Sequence, residues 1–289
     1  MYLIKFIYAL FENNILALKN IKPLKETVYI VYLYSLLKFK KLIVNDILGK
    51  KNGAFKIYGK MVYFPDFDLF EMMFIDVFIK QIEALETTNP NPFIIDCGAN
   101  IGLSSFYLKL KYPNSQIICF EPAKIAFKYL KKNLSQFEGS RVINAAVVGK
   151  NVKSVFLETP SISSHADISS SVNPEIGKIR WQKIKVRREK TKAVKLSNYI
   201  NSNEVVDFVK IDIEGEELAV LKDLVNSKKI KQIKEMFVEY HHHRKNSLVQ
   251  ILKILDNNGF KIIPSGDVRP PLPPFKNKFY IAYFWAYKD

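Results

Sequence analysis

Two cysteines, two tryptophans, four histidines and eleven glycines in 289 residues exclude several kinds of protein at once. Cys97 and Cys119 form no CxxC pair and fall in apolar stretches, so neither a disulfide framework nor zinc-finger spacing is present. Both read as small apolar side chains of central strands in a reducing compartment. Long apolar runs are missing too. Val28 to Leu37 is a run of ten residues, about half of the ~20 needed to cross a bilayer, so no membrane-spanning segment is expected. The start lacks a charged region followed by a cleavage site, so no secretory signal is expected and the location reads as cytoplasmic.

Acids are scarce, with 28 against 44 lysines and arginines, a formal charge of +16. Residues 1–60 hold eleven lysines against Glu12, Glu26 and Asp46, about half of the excess. A second basic stretch, Lys178 to Lys195, includes Arg180, Lys183, Lys185, Arg187, Arg188, Lys190 and Lys192 against Glu189. Such a balance raises nucleic acid or an anionic membrane as partner. Lysine, isoleucine and asparagine are abundant throughout, however, so the excess alone identifies no partner.

What the chain does contain is Phe93-Ile94-Ile95-Asp96-Cys97-Gly98-Ala99-Asn100-Ile101-Gly102, an apolar strand ending on a carboxylate and a glycine turn. A second apolar strand, Gln116 to Phe120, ends on Glu121-Pro122. Glycines let the backbone approach a ligand, and an acid after the second strand can take both hydroxyls of a ribose. The spacing DxGxNxG lacks the third glycine of the dinucleotide fingerprint. A carboxylate at Asp96 would repel a pyrophosphate but attract an ammonium, so the ligand read from these residues is a cationic nucleoside. Asp96 and Asn100 as simple caps of the next helix is the competing reading, and it leaves Glu121 without a role.

Two further blocks repeat the pattern. Asp207-Phe208-Val209-Lys210-Ile211-Asp212-Ile213-Glu214-Gly215-Glu216-Glu217-Leu218 runs from an apolar strand into acids and a glycine, and Met236-Phe237-Val238-Glu239-Tyr240-His241-His242-His243 ends on an acid and three histidines. Acids in the first turn of a helix also suit its dipole, the reading preferred for Glu216. Asp212, Glu239 and His241 make either a proton relay or a cation site. Neighbouring histidines point in different directions, and no metal ligand is assigned.

In these three blocks the chain resembles the FkbM-type S-adenosylmethionine-dependent methyltransferases, whose matching segment reads KIDxEGxE and whose next strand often carries an acid followed by a histidine. The resemblance implies S-adenosylmethionine as cofactor, held by Asp96, Gly98, Asn100, Gly102 and Glu121. Glu71 joins them because similar families place an acid of the preceding helix near the cofactor. By the same resemblance Asp212, His241 and Glu239 are the catalytic candidates, with Asp212 facing the reacting methyl.

Strands are expected at 93–97, 116–120, 141–147, 207–212, 234–240, 259–263 and 278–286, and helices at about 102–112, 123–136, 216–226 and 245–258. This alternation implies an α/β fold with a mostly parallel sheet covered on both faces. The connection Pro264 to Lys278 is too short for a helical crossover, so the last strand must be antiparallel. One such strand in a seven-stranded sheet is the arrangement of class I methyltransferases. Residues 67–289 form this Rossmann-like domain, with 148–206 an insertion or lid containing strands Val152–Glu158 and Lys183–Arg188. Its serine-rich loop Ser161–Ser171 carries His165, a candidate acceptor contact, and Asp167.

Residues 1–66 are a basic helical extension. It comprises a helix from Tyr2 to Leu18 interrupted at Glu12-Asn13-Asn14, and a hairpin of Ala54–Tyr58 and Met61–Phe64 around a Gly59-Lys60 turn. A helix from Asp68 to Glu86 follows. The extension either lies on an anionic membrane face or forms a cap or oligomer contact. The expected activity is O-methylation of a hydroxyl on a sugar, glycan or small polar metabolite, since FkbM relatives act on such hydroxyls and many accompany polysaccharide assembly. The alternatives are a nucleic acid methyltransferase and a noncatalytic module of a membrane-associated glycan assembly complex. The first lacks the (D/N)PP(Y/F) block of amino methyltransferases; the second leaves an intact set of site residues without a use.

Overall fold

The computed structural model describes residues 2–160, 170–176, 185–243, 245–265 and 281–288, with backbone only for residues 2–5. It opens with helices α1 (Tyr2–Asn20) and α2 (Leu24–Lys41), the latter running on as a wider turn over Leu42–Ile47. The triplet Glu12-Asn13-Asn14 does not interrupt α1. Asn13 donates to the Ala9 carbonyl at 2.9 Å and to Tyr34 Oη on α2 at 3.1 Å, so its amide is satisfied within the helix pair. Strands β1 (Gly53–Ile57) and β2 (Lys60–Phe64) form the hairpin, but its turn is Tyr58-Gly59. Their φ values of 46° and 80° are the left-handed pair that a two-residue hairpin turn requires.

Helix α3 (Phe67–Phe74) starts where the Asp66 carboxylate accepts from the backbone of Asp68 at 2.8 Å and Leu69 at 3.1 Å. It widens over Ile75–Lys80 and stops at Gln81, φ 53°, short of the expected end at Glu86. The residues after it, Glu83 among them, therefore lie in irregular backbone beside the sheet.

The core elements are β3 (Phe93–Cys97), α4 (Leu103–Lys111), β4 (Gln116–Phe120), α5 (Lys124–Leu134), β5 (Ser140–Ile143) and β6 (Ala146–Val147). After them come β7 (Ser154–Pro160), β8 (Val186–Val194), β9 (Val206–Ile211), α6 (Glu217–Asn226), β10 (Ile233–His241), α7 (Leu248–Asn257), β11 (Lys261–Ser265) and β12 (Ile281–Tyr287). Seven strands form one sheet in the order β11-β12-β10-β9-β3-β4-β5. All pairings from β10 to β5 are parallel, and β12 is antiparallel to both neighbours. The single antiparallel strand is thus where the short last connection required it. The expected strand 141–147 is divided: β5 stays in the main sheet, while β6 pairs with β8 in a small sheet completed by β7. Loop residues 161–169, including His165 and Asp167, and residues 266–280 lie outside the described residues.

Alternation along the strands divides the core in two. Ile94, Ile117, Phe208 and Phe237 join a cluster with Leu103, Phe106 and residues of the N-terminal extension. Ile95, Val209, Met236 and Val238 face the opposite layer, α6 and α7. Because Ile21, Tyr34, Ile57 and Phe64 belong to the first cluster, the 1–66 extension shares a core with the rest of the chain. Strand order reverses between β3 and β9, and a crevice opens at the carboxyl ends of these strands.

Candidate active site

The crevice is a cleft of about 250 Å³. Gly98, Ala99 and Asn100 after β3, Glu121 after β4 and Asp212 after β9 form its floor, and Glu239 on β10 and Tyr283 on β12 extend it. Met72, Met73, Asp76 and Glu83 close one side; Leu157, Ser170 and Val172 from the insertion close another.

The glycine turn has a physical cause at its first position. Gly98 sits at φ +85°, and a Cβ there would lie 1.7 Å from the Asp212 carbonyl oxygen. The backbones after β3 and β9 can approach this closely only without a side chain. The Asp212 amide donates to the Cys97 carbonyl at 3.0 Å, which completes the contact. Gly102 acts elsewhere: a Cβ there would press on Leu130 of α5, and the residue does not line the cleft. Its expected place at the cofactor is replaced by close packing of α4 on α5.

Glu121 is buried, and each of its oxygens accepts a backbone N–H, from Asn100 at 2.8 Å and from Ala123 at 2.7 Å. A carboxylate oxygen has a further lone pair, so Glu121 is fixed in place yet still able to accept from ligand hydroxyls. Asp96 lies beneath the floor. It is 1% exposed; one oxygen accepts from Ser105 Oγ at 2.7 Å, and Oδ1 makes no hydrogen bond, with Lys210 Nζ 3.9 Å away. Burial raises its pKa, opposed by Lys210.

Lys210, present in the KIDxEGxE block but assigned no role from sequence, is the central cation. It reaches Asp212 at 3.1 Å and Glu83 at 3.6 Å, and among the described residues it donates to Asp212 and the Gly98 carbonyl. Burial alone would lower its pKa, but the surrounding carboxylates raise it well above the ordinary value. Glu83 is the acid that sequence reasoning missed. The resemblance called for an acid near the cofactor and Glu71 was the expected one, but the early end of α3 brings Glu83 to the cleft instead. There it accepts from Ser104, and burial pushes its pKa up to about 7.

Glu71 is turned away from the cleft. It accepts from Lys38 at 2.8 Å, Lys41 at 2.6 Å and Tyr34 at 3.2 Å, all on α2. Burial would raise its pKa, but the two lysines outweigh this and lower it. Its stabilising contribution is therefore present above the ordinary carboxylate pKa and is lost as pH falls through the lowered folded value. Glu71→Gln is expected to cost about 3 kcal/mol in thermal unfolding, the lower end for breaking a mostly buried pair, with donor binding retained. Loss of donor affinity at unchanged melting would return Glu71 to the cofactor.

The three histidines diverge. His242 Nδ1 meets Tyr240 Oη at 2.9 Å and His243 Nε2 donates to the Gly215 carbonyl at 2.8 Å. Only His241 enters the acidic cluster. Its Nδ1 donates to Glu217 Oε1 at 3.0 Å, and its Nε2 lies 3.4 Å from Glu214, 3.4 Å from Glu239 and 4.0 Å from Asp212. Glu217, fully buried, is fixed in turn by Gly215 N and Asn246 Nδ2. Burial would lower the His241 pKa, but these carboxylates raise it well above the usual imidazole range. A charged imidazolium orients acids and is a poor base, whereas burial and Asp212 push Glu239 up to about 7. Ligand atoms of Asp212, Glu239 and His241 lie within 4.8 Å of one another, so the group can hold a proton relay or a cation.

Six carboxylates and one lysine line this cleft among the described residues of a chain with net charge +16. The residues present fit a donor that carries a ribose diol and positive charge: a fixed Glu121, bare backbone at Gly98 and an excess of acid. Such a site at the switch point of this sheet defines a class I S-adenosylmethionine-dependent methyltransferase. The chain belongs to the FkbM methyltransferase family: the family model described as methyltransferase FkbM domain matches residues 96–262. It is similar to methyltransferase sdnD of Sordaria araneosa, 28% identical over 66% of this chain and 82% of that one. It is also similar to methyltransferase 1 of Beauveria bassiana, 26% identical over 53% and 67%. Among solved structures, methyltransferase FkbM of Methylobacillus flagellatus matches at TM-score 0.47 and 14% identity, over 95% of this chain and 58% of that one. No helix among the described residues is long and apolar enough to cross a membrane.

Proposed function

We propose that the protein transfers the methyl group of S-adenosylmethionine to a hydroxyl of a sugar, glycan or other small polar metabolite. The acid-rich cleft in a basic chain carries this reading. The donor supplies an already activated, positively charged methyl sulfonium. Glu121 takes the ribose hydroxyls, and Glu83 with Asp212, held by Lys210, provides the negative potential for the charged amino acid end. Asp96, beneath the floor, contributes through Lys210 and does not touch the ligand. A hydroxyl acceptor must lose a proton as it attacks, and Glu239, poised near neutral pH beside the His241 imidazolium, is the best-tuned acceptor of that proton. The insertion residues Leu157, Ser170 and Val172 narrow the mouth and exclude water from the transfer. A phosphate backbone would be repelled by the same lining, which disfavours a nucleic acid acceptor.

The test is calorimetry with S-adenosylmethionine followed by incubation with labelled donor and panels of glycans, hydroxylated metabolites and RNA. Micromolar donor binding and label in an ether-linked methyl are expected. Label on a base amino group, or no donor binding by folded protein, would overturn the reading.

A further inference from the structure

The two N-terminal helices are apolar on both sides. Inward, Ala17, Leu33, Tyr34 and Leu37 are buried in the core. Outward, Ile7, Phe11 and Leu18 on α1 and Val28, Tyr32 and Leu36 on α2 are 44–66% exposed. Their four- and seven-residue spacing makes a continuous stripe along each helix. Among the described residues, thirteen of the 21 exposed large apolar side chains fall between Ile7 and Leu48, so the feature is local and not a general property of the surface. A helix apolar all round needs partners on both faces, and the fold supplies one.

Charge indicates the other. Lys19, Lys22 and Lys25 are exposed around the turn joining the helices, and Lys50 and Lys51 are exposed after the second, against the exposed acids Glu12 and Asp46. Lys38 and Lys41, by contrast, are occupied by Glu71. A symmetric contact between two copies would set these lysines against a surface whose exposed acids are Glu12 and Asp46 alone, which leaves most of them buried without a counter-charge. An anionic surface meets no such penalty. Apolar stripes flanked by lysine and carrying tyrosine and phenylalanine, on helices unable to span, match a helix pair lying in the headgroup plane.

We propose that the outer faces of α1 and α2 bind the surface of an anionic lipid bilayer, with Lys19, Lys22 and Lys25 on the lipid phosphates. This stands apart from the methyl-transfer reading and survives its failure. The experiment is flotation of the full chain with phosphatidylcholine vesicles and with vesicles containing 30% phosphatidylglycerol, at low and high salt. Recovery with the anionic vesicles at low salt is expected to exceed that with phosphatidylcholine alone at least tenfold. Lys19→Gln/Lys22→Gln/Lys25→Gln should weaken it about 100-fold, since each lysine near an anionic surface contributes a factor of ~5. Val28→Ser/Tyr32→Ser/Leu36→Ser should abolish it while leaving melting and S-adenosylmethionine binding unchanged. If that variant misfolds, the lysine variant, confined to exposed positions, decides alone. Absence of flotation, flotation indifferent to the lysine variant, or a dimer in sedimentation that the serine variant dissolves would each overturn the proposal, the last in favour of a second copy.

Discussion

Glu239→Gln is expected to lower kcat by 10²–10⁴-fold, the usual range for removing a positioned base, while the affinity for S-adenosylmethionine changes little. The expectation comes from its environment. Glu239 lines the cleft at the end of β10, 3.4 Å from the His241 imidazole, and burial with the nearby Asp212 charge pushes its pKa up to about 7. As a base it acts ionised, so kcat/KM in the wild type should rise about tenfold per pH unit below pH 7 and level off above it. Glu83 also titrates near 7, and Glu83→Gln separates the two: it should weaken donor binding and leave the pH limb of kcat in place. If Asp212→Asn instead removes the limb while Glu239→Gln keeps most of the activity, the base is Asp212.

Gly98→Ala is the substitution expected to damage the fold and the site together. The new Cβ would lie 1.7 Å from the Asp212 carbonyl oxygen, at φ +85°, so both strain and collision oppose it. Left-handed backbone costs an L-residue about 1–2 kcal/mol, and the forced separation of two central strand ends brings the total to about 3–5 kcal/mol. Displacing Asp212 should also weaken donor binding more than 100-fold in whatever fraction folds. Gly49→Ala provides the control, since Gly49 has φ +69° but nothing within 4 Å of the added carbon. It should cost about 1 kcal/mol, the strain alone, with binding intact. Equal melting of the two variants would show that the close approach of β3 and β9 is not required.

Much of the site was legible because it is built from strand ends. An apolar run that stops on an acid has few structural explanations, and this pattern occurs at Asp96, Glu121, Asp212 and Glu239, with a glycine following at the first and third. Three of these four line the cleft; Asp96 is close behind it. Gly102 and Glu71 were misplaced for different reasons. A glycine needed for packing against Leu130 looks, in sequence, like a glycine needed for a ligand. Glu71 and Glu83 both fell within one expected helix, and helical periodicity does not reveal where a wide turn and a left-handed Gln81 end it. Lys210 and Glu217 stand in the KIDxEGxE block, but their roles depend on distant partners as well as on Asp212 and Gly215: Glu83 and Asp96 for one, His241 and Asn246 for the other.

The order of apolar runs, acids and glycines determined by itself the alternating architecture, the antiparallel last strand, the family and the strand-end carboxylates Glu121, Asp212 and Glu239 of the cleft, since these depend on local patterning and connection length. Tertiary structure alone decided which of two acids reaches the cleft, which histidine enters the acidic cluster, and that the basic extension is both a cap and an exposed apolar surface. Those outcomes depend on burial and on long-range electrostatics, which arise only when distant segments are brought within a few ångströms.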